Sequence, residues 1–221
     1  GPVYTPPRTD HPKDPQVGGL RENLRQAQAL LQGAGWTVQG GVLRNTKGQA
    51  MVLEYLDSAE TGARVVSPWI RNLEKLGVQL NFRPVDFALY QQRLQKFDFD
   101  ITSIAYGGTP NPGQEYADLF GSKAADTEDS GNFAGVKSPA VDSLISHMVG
   151  AKNHDDYLAA CRALERVVSH SHYLLPQWTS PTHRLAYNAW RLAKPEVTPP
   201  YFQGAAWAID TWWSKTPGAA K

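Results

Sequence analysis

Residues Phe97–Phe120 read FDFDITSIAYGGTPNPGQEYADLF. Phe97, Phe99, Ile101, Ile104 and Ala105 make an apolar, strand-like run. It opens abruptly into glycines, prolines, an amide and a carboxylate. A buried strand that ends in a polar, backbone-rich loop is how open α/β sheets build ligand crevices.

Working back toward the N-terminus, the elements alternate. Leu20, Leu24, Ala27 and Leu31 repeat at helical spacing, and Gly33 and Gly35 supply a stop. Gly40-Gly41 joins two short strands between Trp36 and Arg44. QAMVLEYL, Gln49–Leu56, alternates as a strand. A helix follows on Val65, Val66, Trp69, Ile70, Leu73 and Leu76; Pro68 is expected to start or kink it, and Gly77 to end it. Val78, Leu80 and Phe82 form a second strand, Asp86 can cap the next helix, and Phe97–Tyr106 is the third strand. Short connections between these elements imply right-handed crossovers and a parallel sheet. The expected fold is therefore α/β, a mainly parallel sheet flanked by helices.

Downstream, Val141, Leu144, Ile145 and Met148 mark one helix, and a second runs from about Asp155 to His170. YLLPQW, Tyr173–Trp178, reads as a short buried strand. Beyond Pro181 the chain is irregular and aromatic, and Pro199-Pro200 suggests a linker. The opening GPVYTPPRTDHPKDPQ reads as a proline-rich connector, so the expectation is a fragment whose missing part lies N-terminal. Residues 1–182 would form one α/β lobe, and residues 183–221 a segment returning toward the missing part.

Composition narrows the function. With 221 residues, 41% of them hydrophobic, the chain can bury a real core. Its 22 basic and 21 acidic residues are interspersed, so no basic stripe offers itself to nucleic acid. No apolar run approaches the roughly 20 residues that cross a bilayer. The one cysteine, Cys161, lies on an apolar helical face and reads as a small core residue.

Strand ends of a parallel sheet share one edge. Here that edge carries Asp57-Ser58, Val85-Asp86 and Tyr106–Gly113. A ligand there would meet Ser58, Tyr106, the free backbone of Gly107 and Gly108, Asn111, Gln114 or Glu115. Gly107-Gly108 is not a phosphate loop, because neither GxGxxG nor GKS/T is present. Asp98 and Asp100 share a face and read as structural acids. Glu115 and Asp118 suit a helix start, and Glu115 is also the best grip for a cationic ligand group. The histidines follow no metal-binding spacing, no GxSxG elbow exists, and no cofactor is expected. Seven tryptophans are many for this length. Trp178 suits an aromatic cleft wall, whereas Trp212 and Trp213 suit an interface with the missing part. No set of residues completes a catalytic constellation, which points to binding.

Three runs carry a resemblance: RENLRQAQALLQGAGW (Arg21–Trp36), ARVVSPWIRNLEKLGVQLNFRPVDFALYQQRLQKFDFDI (Ala63–Ile101) and SGNFAGVKSPAVDSLI (Ser130–Ile145). They resemble the C-terminal lobe of the extracytoplasmic solute-binding proteins of ABC transporters, the oligopeptide/dipeptide/nickel family. The loop reaching Glu115 and the FGSKAAD segment, Phe120–Asp126, resemble its oligopeptide and microcin C branch. The resemblance implies a type II periplasmic-binding-protein lobe, not an enzyme. It implies capture of a peptide or peptide-like solute by hinge closure with an N-terminal lobe, delivery to an ABC permease, and a periplasmic, monomeric protein. Peptide binders of this family carry an Asp after the equivalent strand that pairs with the ligand's α-ammonium. The aligned position here is about Gly108, so the expectation passes that role to Glu115. Two competing readings are a peptide or glycan hydrolase fragment using Glu115 or Asp100, and a sensory module of the same fold.

Overall fold

The computed structural model describes residues 19–106, 111–177, 185–197 and 204–215. They divide into two units, one reaching Leu174 and the other starting at Leu175. The expectations placed on Gly107, Gly108, Trp178, His183 and Pro199-Pro200 lie outside the described residues.

The first unit opens with helix α1 (Gly19–Gly33). It packs Leu24, Ala27 and Leu31 against Leu43, Leu76 and Val78; Leu20, expected in that stripe, is exposed instead. Strands β1 (Thr37–Gln39) and β2 (Val42–Arg44) form an antiparallel hairpin. Its two turn residues, Gly40 and Gly41, have φ of +58° and +83°. Such a turn matches the twist of the paired strands, and glycine reaches it without a Cβ penalty.

Strands β3 (Val52–Asp57), β4 (Gln79–Pro84) and β5 (Ile101–Thr102) form a parallel sheet in the order β4-β3-β5. The connection from β3 to β4 runs one way and the connection from β4 to β5 runs back past β3. Right-handed crossovers then put the two intervening helices on opposite faces. The packing agrees. Tyr55 and Leu80 bury with Val66 of α2 (Ala63–Glu74) on one face. Leu56, one residue along β3, buries with Tyr90 and Leu94 of α3 (Phe87–Gln95) on the other.

Local signals position these helices. Helix α2 begins at Ala63 and runs through Pro68 rather than starting there. Gly77 follows it with φ +77°, and a Cβ there would lie 2.7 Å from the Leu43 amide nitrogen. Asp86 caps α3 by accepting from the Leu89 N–H. The third strand is much shorter than expected. Phe97 takes φ +54°, and the Phe97 and Asp98 amides donate back to the Leu94 and Arg93 carbonyls. That is a Schellman ending of α3, which spends the first residues of the expected strand on a helix cap.

After β5 the unit becomes helical: α4 (Glu115–Phe120), α5 (Pro139–Val149) and α6 (His154–His170). Ser138 and Asn153 cap α5 and α6 by accepting from Val141 and Asp156 N–H groups. The apolar faces of these helices, with Phe120 and Val136, form one cluster around Met148, Ile145 and Leu164. Asn132, 0% exposed, holds the approach to α5. Its amide donates to the Gly121 and Val136 carbonyls and accepts from the Val136 N–H. The strand expected over Tyr173–Trp178 is not found in its described part. Tyr173 and Leu175 are exposed, and only Leu174 packs on the helical core. Without an alternating buried face or a paired neighbour, β-branched or aromatic content does not make a strand.

The second unit contains helix α7 (Gly204–Thr211) and an antiparallel pair, β6 (Leu192–Ala193) with β7 (Trp213–Ser214). Trp212 meets Tyr187 and Trp207 edge-on, at 4.6 and 5.3 Å between ring centres. Trp213 is half-exposed and Trp190 is 89% exposed.

Candidate functional site

All three parallel strands point the same way, so their C-terminal ends meet at one edge. The direction of chain crossover reverses about β3, which is where open α/β sheets place ligands. Asp57, Ser58, Val85, Asp86 and residues 103–106 gather there. Asp57 is occupied structurally: its carboxylate accepts from the Ala59 N–H, and its carbonyl accepts from the Val85 N–H. Ser58 is half-buried beside it.

Hydroxyl groups knit the end of β5 to the sheet. Thr102 donates to the Leu56 carbonyl at 3.0 Å. The Tyr90 hydroxyl donates to the Ser103 carbonyl at 3.2 Å, and the Tyr55 hydroxyl pairs with the Ser103 hydroxyl. These bonds fix the end of β5 against β3 and α3. Tyr106 is the last described residue before the loop, and its ring leans on Phe120 of α4 at 5.8 Å. Burial raises its phenol above the ordinary value, so at neutral pH it is a hydrogen-bond donor.

On the far side of the loop, the Pro112 carbonyl accepts from the Tyr157 hydroxyl of α6 at 2.7 Å. Tyr157 is pushed up to about 12, by burial first and then by the neighbouring Cys161 thiol. Tyr116 is also raised, by burial first, then by the Glu115 carboxylate and Cys161. Two cavities flank this anchor. One, of about 400 Å³, is mainly apolar and is lined by Pro112, Tyr116, Phe120, Met148, Leu158 and Cys161 among others. The other, of about 520 Å³, is more open and polar, with Asn111, Lys152, Asn153 and His154 on its walls.

The expected site residues fare differently. Ser58 and Tyr106 lie at the shared strand edge, and Asn111 lines the polar cavity. Gln114 and Glu115 are exposed at the start of α4, and neither lines these two cavities. The Glu115 carboxylate accepts from the Gly113 N–H at 3.0 Å. Asp118 is structural and accepts from the Gly131 N–H. So are the two strand acids. Asp98 pairs with Arg93 at 2.8 Å, and Asp100 accepts from the Glu54 N–H, taking the place of a ladder carbonyl. Arg93 also pairs with Glu54 at 2.7 Å.

Three of the described histidines serve their own helices: His147 and His170 bond carbonyls one turn back, and His154 stacks on Tyr157; His172 follows α6. Among the described residues no group of three or more His, Cys, Asp and Glu could hold a metal. No described helix is long and apolar enough to cross a membrane.

Sequence reading missed several residues. Phe87, at the start of α3 on the same edge, is 65% exposed and stacks on Tyr90. Cys161, read as a small core residue, is half-buried against the helical core and also lines the apolar cavity. Its spacing of four from Tyr157 on α6 was visible in the sequence. Its proximity to Pro112 was not.

Comparison with known proteins places these features in context. Residues 1–128 match the family described as bacterial extracellular solute-binding proteins, family 5 middle. The chain is 39% identical over 200 residues to the probable peptide-binding protein YejA of Agrobacterium fabrum, covering 90% of the chain and 32% of that protein. It is 28% identical over 212 residues to the peptidoglycan-binding protein YepA of the same organism, covering 96% of the chain and 33% of that protein. The chain thus spans about a third of the length of the curated relatives it matches. In structure it resembles the oligopeptide-binding protein AppA of Bacillus subtilis, solved with a nonapeptide. The TM-score is 0.60 at 18% identity, covering 77% of this chain and 34% of that one. This likeness shows the fold, that of a type II periplasmic binding protein.

Proposed function

We propose, from the premise that this chain belongs to the bacterial extracellular solute-binding proteins of family 5, that it forms one lobe of a peptide-capturing protein. The lobe supplies one wall of a cleft, and a second lobe elsewhere in the longer protein closes over the ligand by hinge motion. The protein works outside the cytoplasmic membrane and hands its ligand to an ABC permease. The return segment, residues 183–221, crosses toward the other lobe.

The observation that carries this reading is the shared edge. Three parallel strands end together, and the loop that leaves β5 is pinned at both margins, by Tyr106 on Phe120 and by Tyr157 on Pro112. A strand edge with fixed groups on both sides suits a peptide ligand, whose own backbone offers groups to match. The 39% identity to a probable peptide-binding protein supports the same ligand class. The competing hydrolase reading rests on Glu115 or Asp100, whose carboxylates accept from the Gly113 and Glu54 N–H groups.

Calorimetry and native mass spectrometry of the full-length protein with a peptide pool test the proposal. The expected outcome is saturable binding, recovery of the peptide unchanged, and compaction in small-angle scattering. Cleavage or modification of the bound peptide overturns it.

A further inference from the structure

We propose that Tyr55 and Tyr90 are positioning residues for the ligand. They reach the end of β5 from opposite faces of the sheet, and their hydroxyls fix Ser103 and with it the edge that the ligand meets. The inference rests on the binding reading above and adds to it two buried residues that act without touching the ligand.

Strand β5 is a weak foundation by itself. Only Ile101 and Thr102 pair with β3, against about five or six residues in an ordinary strand. Ser103 is the first residue past that ladder, and it is exposed at the shared strand edge. Ile104 gives the segment an apolar foothold beside Leu56, Tyr90 and Leu94, but apolar contact carries no direction. Direction comes from the hydroxyls. That of Tyr55 pairs with the Ser103 hydroxyl, and that of Tyr90 donates to the Ser103 carbonyl at 3.2 Å. One residue is thus held at its side chain and at its main chain.

Both rings are closely packed mounts. Tyr55 is buried under α2, with Phe82 stacked on it at 5.8 Å and Trp69 edge-on at 6.5 Å. Tyr90 is buried with Leu56 and Leu94 on the opposite face. A phenylalanine would fill either space with no polar atom to satisfy. What each hydroxyl adds lies at the end of the sheet, where both meet the same exposed residue. Three residues further on, Tyr106 leans on Phe120 of α4, so residues 103–106 are fixed at both ends. An edge already held in its bound shape avoids the cost of ordering it on association. A protein whose edge takes that shape only part of the time binds more weakly in proportion.

Kinetics separate positioning from contact. The full-length protein is tested with the tightest binder of the peptide pool. Tyr55→Phe and Tyr90→Phe should each lower affinity about five- to tenfold, by cutting the fraction of protein with a competent edge. The loss should fall on the association rate and leave dissociation unchanged, whereas a lost ligand contact would speed dissociation. Tyr55→Phe should have no further effect in a Ser103→Ala background, because the Ser103 hydroxyl is its partner. Unchanged affinity, whatever happens to the thermal midpoint, makes the hydroxyls purely structural and overturns the inference. So does a loss confined to dissociation, or a Tyr55→Phe effect that persists beside Ser103→Ala. Each of these results leaves the binding function standing. Failure of the unaltered protein to bind any peptide removes the functional reading and this inference together.

Discussion

The Tyr157 hydroxyl donates to the Pro112 carbonyl at 2.7 Å, joining residues 45 apart in sequence. One bond thereby ties the segment before α4 to α6, and it stands between an apolar cavity and a polar one. Removing the hydroxyl should therefore affect both stability and the position of that segment.

Tyr157→Phe should cost about 1 kcal/mol in urea unfolding, the net worth of one hydrogen bond. The pH dependence has a definite sign. A phenol raised above its unfolded value of about 10 stabilises the fold while it is neutral. That contribution is complete below about pH 10 and is lost as pH climbs toward about 12, where folded Tyr157 ionises. The unaltered protein should lose stability across this window, and Tyr157→Phe should lose less.

Gly77 and Gly48 offer a controlled pair. Both have φ of +77°, but a Cβ at Gly77 would lie 2.7 Å from Leu43 N, whereas Gly48 has nothing within 4 Å. Gly48→Ala should cost about 1 kcal/mol for the backbone alone. Gly77→Ala should cost about 1–3 kcal/mol more, because α2 must move away from the hairpin. Thermal unfolding of the two variants side by side reads the difference. Equal losses would mean that the close approach carries no energy.

Asn132→Ala should be among the most damaging single changes. It strips partners from three backbone groups at a site with 0% exposure. Each stranded buried group costs about 1–3 kcal/mol, so a loss of roughly 3 kcal/mol or more is expected. Hydrogen exchange should show the Gly121–Val136 region opening first.

Glu115→Gln tests the carboxylate at the start of α4. If Glu115 meets the ligand's α-ammonium, affinity for peptides with a free amino terminus should fall about tenfold, as for loss of a charge-assisted hydrogen bond. N-acetylated peptides should bind the variant and the unaltered protein alike. The same small loss for both peptide classes would assign Glu115 to holding Gly113 in place.

Much of the fold was legible because its signals are local. Asp86 sits three residues before the amide it caps, Gly40-Gly41 supplies the turn it makes, and Tyr55 and Leu56 alternate between the faces covered by α2 and α3. The third strand was overread because Phe97, an aromatic residue, occupies a left-handed helix cap that the pattern does not betray. Asp98 and Asp100 could be set aside as structural from their position, but their partners, Arg93 and the Glu54 amide, appeared only on folding.

Hydrophobic spacing, caps and glycines were sufficient for the order of elements and for a parallel sheet with its strand ends on one side, since each acts within a few residues. The cleft against Phe120, the bond from Tyr157 to Pro112 and the half-open setting of Cys161 belong to packing. They join segments tens of residues apart, and the space left between two helices depends on how all their side chains fit, which no short stretch of letters contains.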